Sequence, residues 1–117
     1  MTTIIEQVQA ALAPLAAGGC SYAVNTTVPP VYPYIVFLRV VSPTNVSLDG
    51  PSDVQNSLFQ IDAWGLQISV ADAVERAIEA ALAAASFTAI QQDQRDGYDE
   101  NAKVYRCSAD YSIWSAN

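Results

Sequence analysis

The chain contains no histidine, only two cysteines and only five basic residues among its 117 amino acids. Without histidine, neither a Ser-His-Asp nor a Cys-His catalytic arrangement can form, and a His-ligated metal site is excluded. Two cysteines, Cys20 and Cys107, are too few for a disulfide framework. The composition therefore removes most zinc enzymes and most nucleophilic enzymes from consideration.

Positive charge is scarce relative to negative charge. Five Lys and Arg against twelve Asp and Glu give a net charge of −7. Proteins that hold nucleic acid through its phosphates need clustered basic residues. We therefore expect no binding to duplex or single-stranded nucleic acid, since the basic residues are scattered among acids, at Arg39, Arg76, Arg95, Lys103 and Arg106.

Long apolar runs are also missing. No stretch approaches the roughly 20 residues that are needed to cross a bilayer. Residues 1–6 lack the basic stretch and the apolar core of a signal peptide. We expect a soluble, cytoplasmic protein that has no contact with a membrane.

The composition of the chain is typical of a folded domain. Apolar residues make up 51% of the chain and charged residues only 15%, a balance that excludes intrinsic disorder. A length of 117 residues is enough for one hydrophobic core without disulfides or metals. Because no repeat or linker interrupts the chain, the sequence predicts a single domain over residues 1–117.

Two segments have helical periodicity. The first runs from Thr3 to about Ala16, where Thr3 and Glu6 have the spacing of a capping box and Pro14 is expected to disturb the last turn. The second is predicted to open at Ser69 and to end in an alanine-rich surface at residues 80–85 that lies flat on a sheet. Its capping residue is expected at Asp72, and its solvent face is expected to carry Asp72, Glu75, Arg76 and Glu79.

The remaining apolar segments are typical of strands, because they are β-branched, aromatic or alternating. A turn-rich segment at residues 42–53 and a polar loop at residues 95–101 separate them. The predicted strands are a weak one at Tyr22–Val24, then Tyr34–Val41, Val54–Trp64, Phe87–Gln94 and Lys103–Trp114. The fold class is therefore α+β, with two helices packed on one face of a mainly antiparallel sheet of four to five strands.

Two acidic features bear on chemistry. The segment from Asp93 to Glu100 carries four carboxylates but lacks the spacing of an EF-hand, so we interpret it as a polar hairpin tip. Asp62, between Ile61 and Ala63 on a predicted strand, is the one candidate for an acid in an apolar pocket; the alternatives are that it faces solvent or pairs with an arginine. We predict no catalytic residue, no cofactor and no metal site, and hence no enzyme.

Cys107 and the two tryptophans have structural interpretations. Cys107 is expected to be a small core residue rather than a nucleophile, because it lies on the inward face of its predicted strand. Trp64 and Trp114 lie near strand ends, where tryptophan either completes the edge of a core or anchors an interface. The sequence leaves both interpretations of the tryptophans open.

Several short motifs follow one another in the second and last thirds of the chain. Pro33–Phe37 opens the first long strand, and Leu48–Gly50 follows in its loop. Phe59–Trp64 precedes the alanine-rich helix, and Asp110–Trp114 lies near the C-terminal end. In this order and spacing, the segment resembles the tail-completion or tail-terminator proteins of long-tailed bacteriophages, which are also tail-to-head joining proteins.

The resemblance implies a subunit that forms a homohexameric ring at the head-proximal end of the phage tail tube. There the ring would end tube polymerisation and join the tail to the head connector. The implied partners are further copies of the chain, the tail tube protein and the connector or stopper protein, and DNA would pass through the channel without specific binding. The implied location is the virion tail, with the host cytoplasm as the site of assembly.

A ring subunit needs two different surface patches, and binding residues are frequent in loops. On the ring interpretation, the predicted contact regions are therefore the two loops and the strand ends that bear the tryptophans. The candidate interface residues are Leu48, Asp49, Trp64, Asp96, Tyr98 and Trp114.

Two alternatives come from other classes of protein. One is another component of the head–tail neck, such as a stopper or an adaptor, which differs in its partner rather than in its chemistry. The other is a small-molecule-binding α+β domain, which would require a large apolar pocket with converging polar groups.

Overall fold

A computed structural model of the chain describes residues 3–24, 30–45, 54–85 and 87–116. The elements, in chain order, are α1 (Ile4–Leu12), a 3₁₀ turn (Ala13–Leu15), β1 (Cys20–Tyr22), β2 (Tyr34–Asn45), β3 (Val54–Gly65), α2 (Ile68–Ala84), β4 (Thr88–Asp99) and β5 (Val104–Ala116). Neither helix of this described part is long and apolar enough to span a membrane.

The five strands form one sheet in the order β1-β2-β3-β5-β4. β1 runs parallel to β2, and all the other neighbours are antiparallel. β3 and β5 pair along their whole length, from Val54 opposite Ala116 to Gly65 opposite Tyr105. With two helices and this mainly antiparallel sheet, the predicted α+β fold class is confirmed.

Helix α1 begins as the sequence predicts. Thr3 Oγ1 accepts a hydrogen bond from the Glu6 backbone N–H at 3.2 Å, and Glu6 Oε1 accepts one from the Thr3 N–H at 3.3 Å, which completes the capping box. The α-helix ends at Leu12, and Pro14 lies in the 3₁₀ turn that follows. Proline ends the helix because it lacks an N–H and crowds the preceding turn.

Helix α2 differs from its prediction at both its start and its polar face. Its N-cap is Gln67, whose side chain makes no capping hydrogen bond, so the cap predicted at Ser69 and Asp72 is wrong. Asp72 instead accepts a hydrogen bond from Arg76 Nε at 3.1 Å. The prediction that Glu75 faces solvent is also wrong, because its side chain is only 2% exposed.

The buried stripe of α2 is therefore narrower than its apolar composition suggests. Val70 and Ala73 are exposed, and the flat alanine surface predicted at residues 80–85 contains only one buried residue, Leu82, among those described. The helix is rotated so that a carboxyl side chain, rather than these alanines, meets the sheet. The residues that are buried follow helical spacing: Ala71, Val74, Glu75, Ile78 and Leu82.

The first two strands are displaced from their predicted limits. β1 is Cys20–Tyr22 rather than Tyr22–Val24, because these three residues pair with Ile35–Phe37 and Ala23 then adopts a positive φ of 69°. β2 continues to Asn45, so the start of the predicted turn segment belongs to the strand. A register shift between residues 41 and 44 accommodates the proline at position 43. Residues 46–53 lie outside the described part of the chain.

The prediction of a long polar loop at residues 95–101 is wrong. β4 extends to Asp99, and the turn is confined to residues 100–103, closed by the Lys103 N–H donating to the Asp99 carbonyl at 2.7 Å. β4 lies at the edge of the sheet, where polar side chains discourage unwanted pairing. The strand conformation of β4 comes from main-chain pairing with β5 rather than from an alternation of apolar and polar residues.

Both helices pack on one face of the sheet and share one hydrophobic core. On β5 the predicted inward face is confirmed, and Cys107 is fully buried. On β2 both faces are buried at Ile35–Phe37, whereas Val40 is 43% exposed. The largest buried side chains of the core are Leu12, Ile35, Phe37, Phe59, Ile61, Ile78, Leu82 and Ile113.

Candidate interaction surfaces

The sheet separates the predicted interface residues into two groups at opposite ends. Trp64 lies opposite Tyr34 and Arg106, whereas Trp114 lies opposite Asn56 and Thr88. The two rows are eight residue steps apart along β3, from Asn56 to Trp64, which corresponds to roughly 26 Å of extended strand. The end with Trp64 is here called the β3–α2 end, and the end with Trp114 is called the Trp114 end.

Trp64 is held at the β3–α2 end by two neighbours. Its ring stacks on that of Tyr34, with 6.1 Å between centroids and 18° between planes, and the guanidinium carbon of Arg106 lies 5.5 Å from its centroid. Tyr32 continues the row, with its ring 5.3 Å from that of Tyr34. The half-buried Trp64 is therefore a rigid platform, stabilised by stacking and by a cation–π contact.

Tyr98 and Asp96, two further predicted interface residues, lie at this same end on the edge strand β4. Tyr98 is 50% exposed, and its ring lies 4.8 Å from that of Tyr105. Asp96 is exposed and sits opposite Cys107. Together with Ile68, these residues line an open depression of about 360 Å³.

An apolar group that was not predicted from the sequence lies in the connection from β3 to α2 and in the first turn of α2. Leu66, Ile68 and Val70 are 60%, 41% and 36% exposed. Leu66 and Val70 line a second open depression of about 340 Å³, with Tyr32 on its wall. The signal for this group was the alternation of three aliphatic residues across the start of α2, which begins at Ile68 rather than at the predicted Ser69.

The Trp114 end is less apolar in the described residues. Trp114 is half-buried, and Ile90, two residues from Thr88 on β4, is 50% exposed. Asn56 Nδ2 donates a hydrogen bond to Ser112 Oγ at 2.7 Å. The candidate residues Leu48 and Asp49 lie outside the described residues; the strands on either side of them, β2 and β3, have their near ends here.

The surroundings of Asp62 match neither of the two alternatives that the sequence left open, exposure to solvent or pairing with an arginine. It is 7% exposed, so it does not face solvent, and no arginine forms an ion pair with it in the described part of the chain. Its two carboxyl oxygens accept hydrogen bonds from Gln60 Nε2 at 3.3 and 3.2 Å. Asp62 is thus a buried acid whose one described hydrogen-bond partner is a neutral amide.

The acidic segment of the last hairpin is engaged in local contacts. Asp93 pairs with Arg95 at 3.2 Å, and Arg95 also reaches Asp110 at 3.4 Å. Asp99 Oδ1 accepts hydrogen bonds from the backbone N–H groups of residues 101 and 102. Within the described residues, no group of three or more Cys, Asp or Glu side chains is arranged to hold a metal ion.

The thiols are poorly suited to nucleophilic chemistry. Burial raises the pKa of both Cys20 and Cys107 to about 12, and the neighbouring Asp96 adds to the effect at Cys107. A thiol at this pKa carries almost no thiolate near neutral pH. The described cysteines are therefore packing residues rather than reactive ones.

Comparison with known proteins identifies the class. A family model described as "Tail completion protein gp17" matches residues 6–116. The chain therefore belongs to this family of tail completion proteins, as the motifs between Pro33 and Trp114 indicated, and its role is a structural one in the tail of a phage-like virion.

A solved structure described as "Virion of native gene transfer agent (GTA) particle" contains a chain of similar fold. The TM-score is 0.61 at 16% sequence identity, over 91% of this chain and 84% of that chain. At this identity the likeness concerns the fold. No curated protein matches the sequence.

Proposed function

We propose that the protein forms a homohexameric ring at the head-proximal end of the tail tube, where it ends tube polymerisation and joins the tail to the head connector. The proposal treats residues 1–117 as a single domain. It refines the tail-completion role that the family assigns. Its partners are copies of itself, the tail tube protein and the connector or stopper protein.

The observation that carries the proposal is the separation of two contact surfaces along one long sheet. The protein has principal extents of 51 × 26 × 24 Å, with Trp64 and Tyr98 near one end and Trp114 near the other. A subunit with surfaces at both ends suits a position between two different partners. Trp64, Asp96 and Tyr98 form one proposed contact, and Trp114 with Leu48 and Asp49 forms the other.

The sheet also has two unlike edges, as a closed head-to-tail ring requires. One edge is β4, which is long and polar. The other is β2, which β1 covers only over Ile35–Phe37 in the described residues. Because the two edges differ, one copy can present its β4 side to the β2 side of the next.

The charge of the chain suits a channel for DNA. Six copies at −7 each would carry −42, and like charge repels phosphate, so DNA could pass without specific binding. None of these roles needs a catalytic residue, and a function without enzymatic activity is part of the proposal.

Electron microscopy of tails assembled without the protein tests this function. The proposal expects tubes of abnormal, extended length that lack heads, with normal length and head attachment restored when the wild-type chain is supplied. Tails of normal length that carry heads in its absence would contradict both termination and joining.

A further inference from the structure

Asp62 is a buried acid that has no role in the surfaces described so far. It lies on the sheet face opposite the core, because it alternates along β3 with the buried Ile61 and Ala63. It is nevertheless buried, with only 7% of its surface exposed. Its neighbour across the sheet, Ser108, is 1% exposed, and Ser108 Oγ has no hydrogen-bond partner among the described residues.

Asp62 lines an open depression of about 250 Å³ next to the Trp64 platform. The walls combine aromatic rings with aliphatic side chains, so they can pack the methylene stem of a long side chain and face its cationic head. An amine that entered here would meet a carboxyl group beside an indole. The lining residues are Ala23, Val24, Tyr34, Val36, Leu38, Asp62 and Trp64.

No cation of the described part of the chain forms an ion pair with this carboxyl group. Arg95 acts on it only through longer-range electrostatics, because its ion pairs are with Asp93 and Asp110, and Arg106 lies over Trp64. A buried acid without a cation in direct contact is costly, because a distant charge replaces only part of the lost hydration. The depression is therefore suited to a basic side chain from another molecule.

Lys103 is the cation of this chain that best fits the depression. It lies at the turn of the β4–β5 hairpin with a φ of 57°, is exposed, and has no acidic group within 4.0 Å among the described residues. Arg76 is paired with Asp72. Arg39 follows Leu38 on β2 and so points to the opposite face.

The depression and Lys103 lie toward opposite edges of the sheet. The depression is near the β1–β2 edge, since Tyr34, Val36 and Leu38 belong to β2, whereas Lys103 ends the β4–β5 hairpin near the other edge. We propose that, in the ring, Lys103 of one copy inserts into the depression of the next copy and pairs with Asp62. This inference rests on the proposed ring, and it explains how chains of charge −7 overcome their mutual repulsion.

Carbodiimide cross-linking of assembled tails tests the contact, because the reagent joins a lysine amine to a carboxyl group that it touches. We expect a ladder of cross-linked multimers of this chain and, after digestion, a peptide pair joined through Lys103 and Asp62. The same treatment of the free monomer should not give this pair. Rings that yield no such pair would overturn the contact but not the ring, whereas tails without a ring would overturn both.

Charge variants provide a second test. Lys103→Met keeps the stem and removes the charge, and we expect it to reduce the fraction of chain in rings on the order of tenfold, the scale of one close interfacial charge pair. Lys103→Arg should retain assembly. Glu100→Gln, in the same turn, is the matched control and should assemble as well as the wild type. Equal assembly of Lys103→Met and wild type would overturn the proposal.

Discussion

The phenol of Tyr111 donates a hydrogen bond of 3.1 Å to the carboxyl group of Glu75, joining the centre of α2 to β5 inside the core. Gln94 Nε2 donates to the other carboxyl oxygen at 3.4 Å, so the edge strand β4 joins the same contact. One buried acid thus connects the helix to both strands of the last hairpin.

The first prediction concerns the pH dependence of stability. Burial raises the pKa of Glu75, partly offset by the Tyr111 hydrogen bond and reinforced by the nearby Glu79, Asp72 and Asp96 carboxyls. Because the folded state binds this proton more tightly than the unfolded state, its contribution to stability is present below the unfolded pKa of about 4.5 and is lost as the pH rises through the folded value.

Glu75→Gln removes this titration while keeping a hydrogen-bonding group. We expect the variant to lose less stability than the wild type between pH 5 and pH 8, and to be the more stable of the two at pH 8. Urea unfolding at the two pH values measures the difference. Glu100→Gln, exposed in the β4–β5 turn and not among the carboxyls that act on Glu75, is the control and should follow the wild type. An unchanged pH dependence in Glu75→Gln would contradict this account.

Glu75 also shows where sequence reasoning reaches its limit. Helical periodicity located α2 within one residue, but it assigned the carboxyl to solvent by residue type. The partner that makes burial tolerable, Tyr111, is 36 residues away in the chain. Pairing of this kind is a tertiary property that local pattern does not contain.

The edge strand β4 was missed for a related reason. Residues 95–99 are polar on both sides, and their strand conformation comes from main-chain bonds to β5 rather than from apolar burial. By contrast, β3 and β5 were predicted nearly to their ends, because alternation and burial agree there. Within the candidate site, Trp64 and Tyr98 were each identified from the sequence as single residues. The exposure of the aliphatic group around Leu66 is evident only once the packing of α2 is known.

The second prediction concerns Gly18. A Cβ atom at this position would overlap the carbonyl oxygen of Val31 and approach that of Pro33 at 2.8 Å. We expect Gly18→Ala to destabilise the fold by about 1–3 kcal/mol, the scale of overpacking. Gly19→Ala meets no atom within 4 Å but must adopt a φ of +81°, at a cost of roughly 1–2 kcal/mol. Denaturant unfolding of both variants should show the greater loss for Gly18→Ala, and the reverse order would contradict the close approach.

The third prediction concerns thiol reactivity. A pKa of about 12 rather than 9.0 lowers the thiolate fraction about 1,000-fold at neutral pH. Neither Cys20 nor Cys107 should react with iodoacetamide at pH 7 in the folded protein over a time that fully modifies the urea-unfolded chain. Intact mass spectrometry measures the number of adducts. Rapid alkylation of the folded protein would show that these thiols are more accessible than their burial indicates.

The fourth prediction separates the two ends of the sheet. Tyr98→Ala changes the β3–α2 end without touching the depression at Asp62, whereas Trp114→Ala changes the other end, so each should weaken the attachment to a different partner. We expect one variant to give tails that lack heads and the other to give protein that is absent from tail tubes. Electron microscopy and the protein composition of purified tails distinguish the two outcomes. Identical defects in both folded variants would contradict the assignment of one partner to each end.

The most direct test of the central claim is imaging of the head-proximal end of isolated tail tubes by electron cryomicroscopy. The account predicts a closed ring of six copies of this chain, seated on the last ring of the tube and contacting it through one end of each sheet. A tube end that carries single copies, an open arc or no copy of this chain would contradict it.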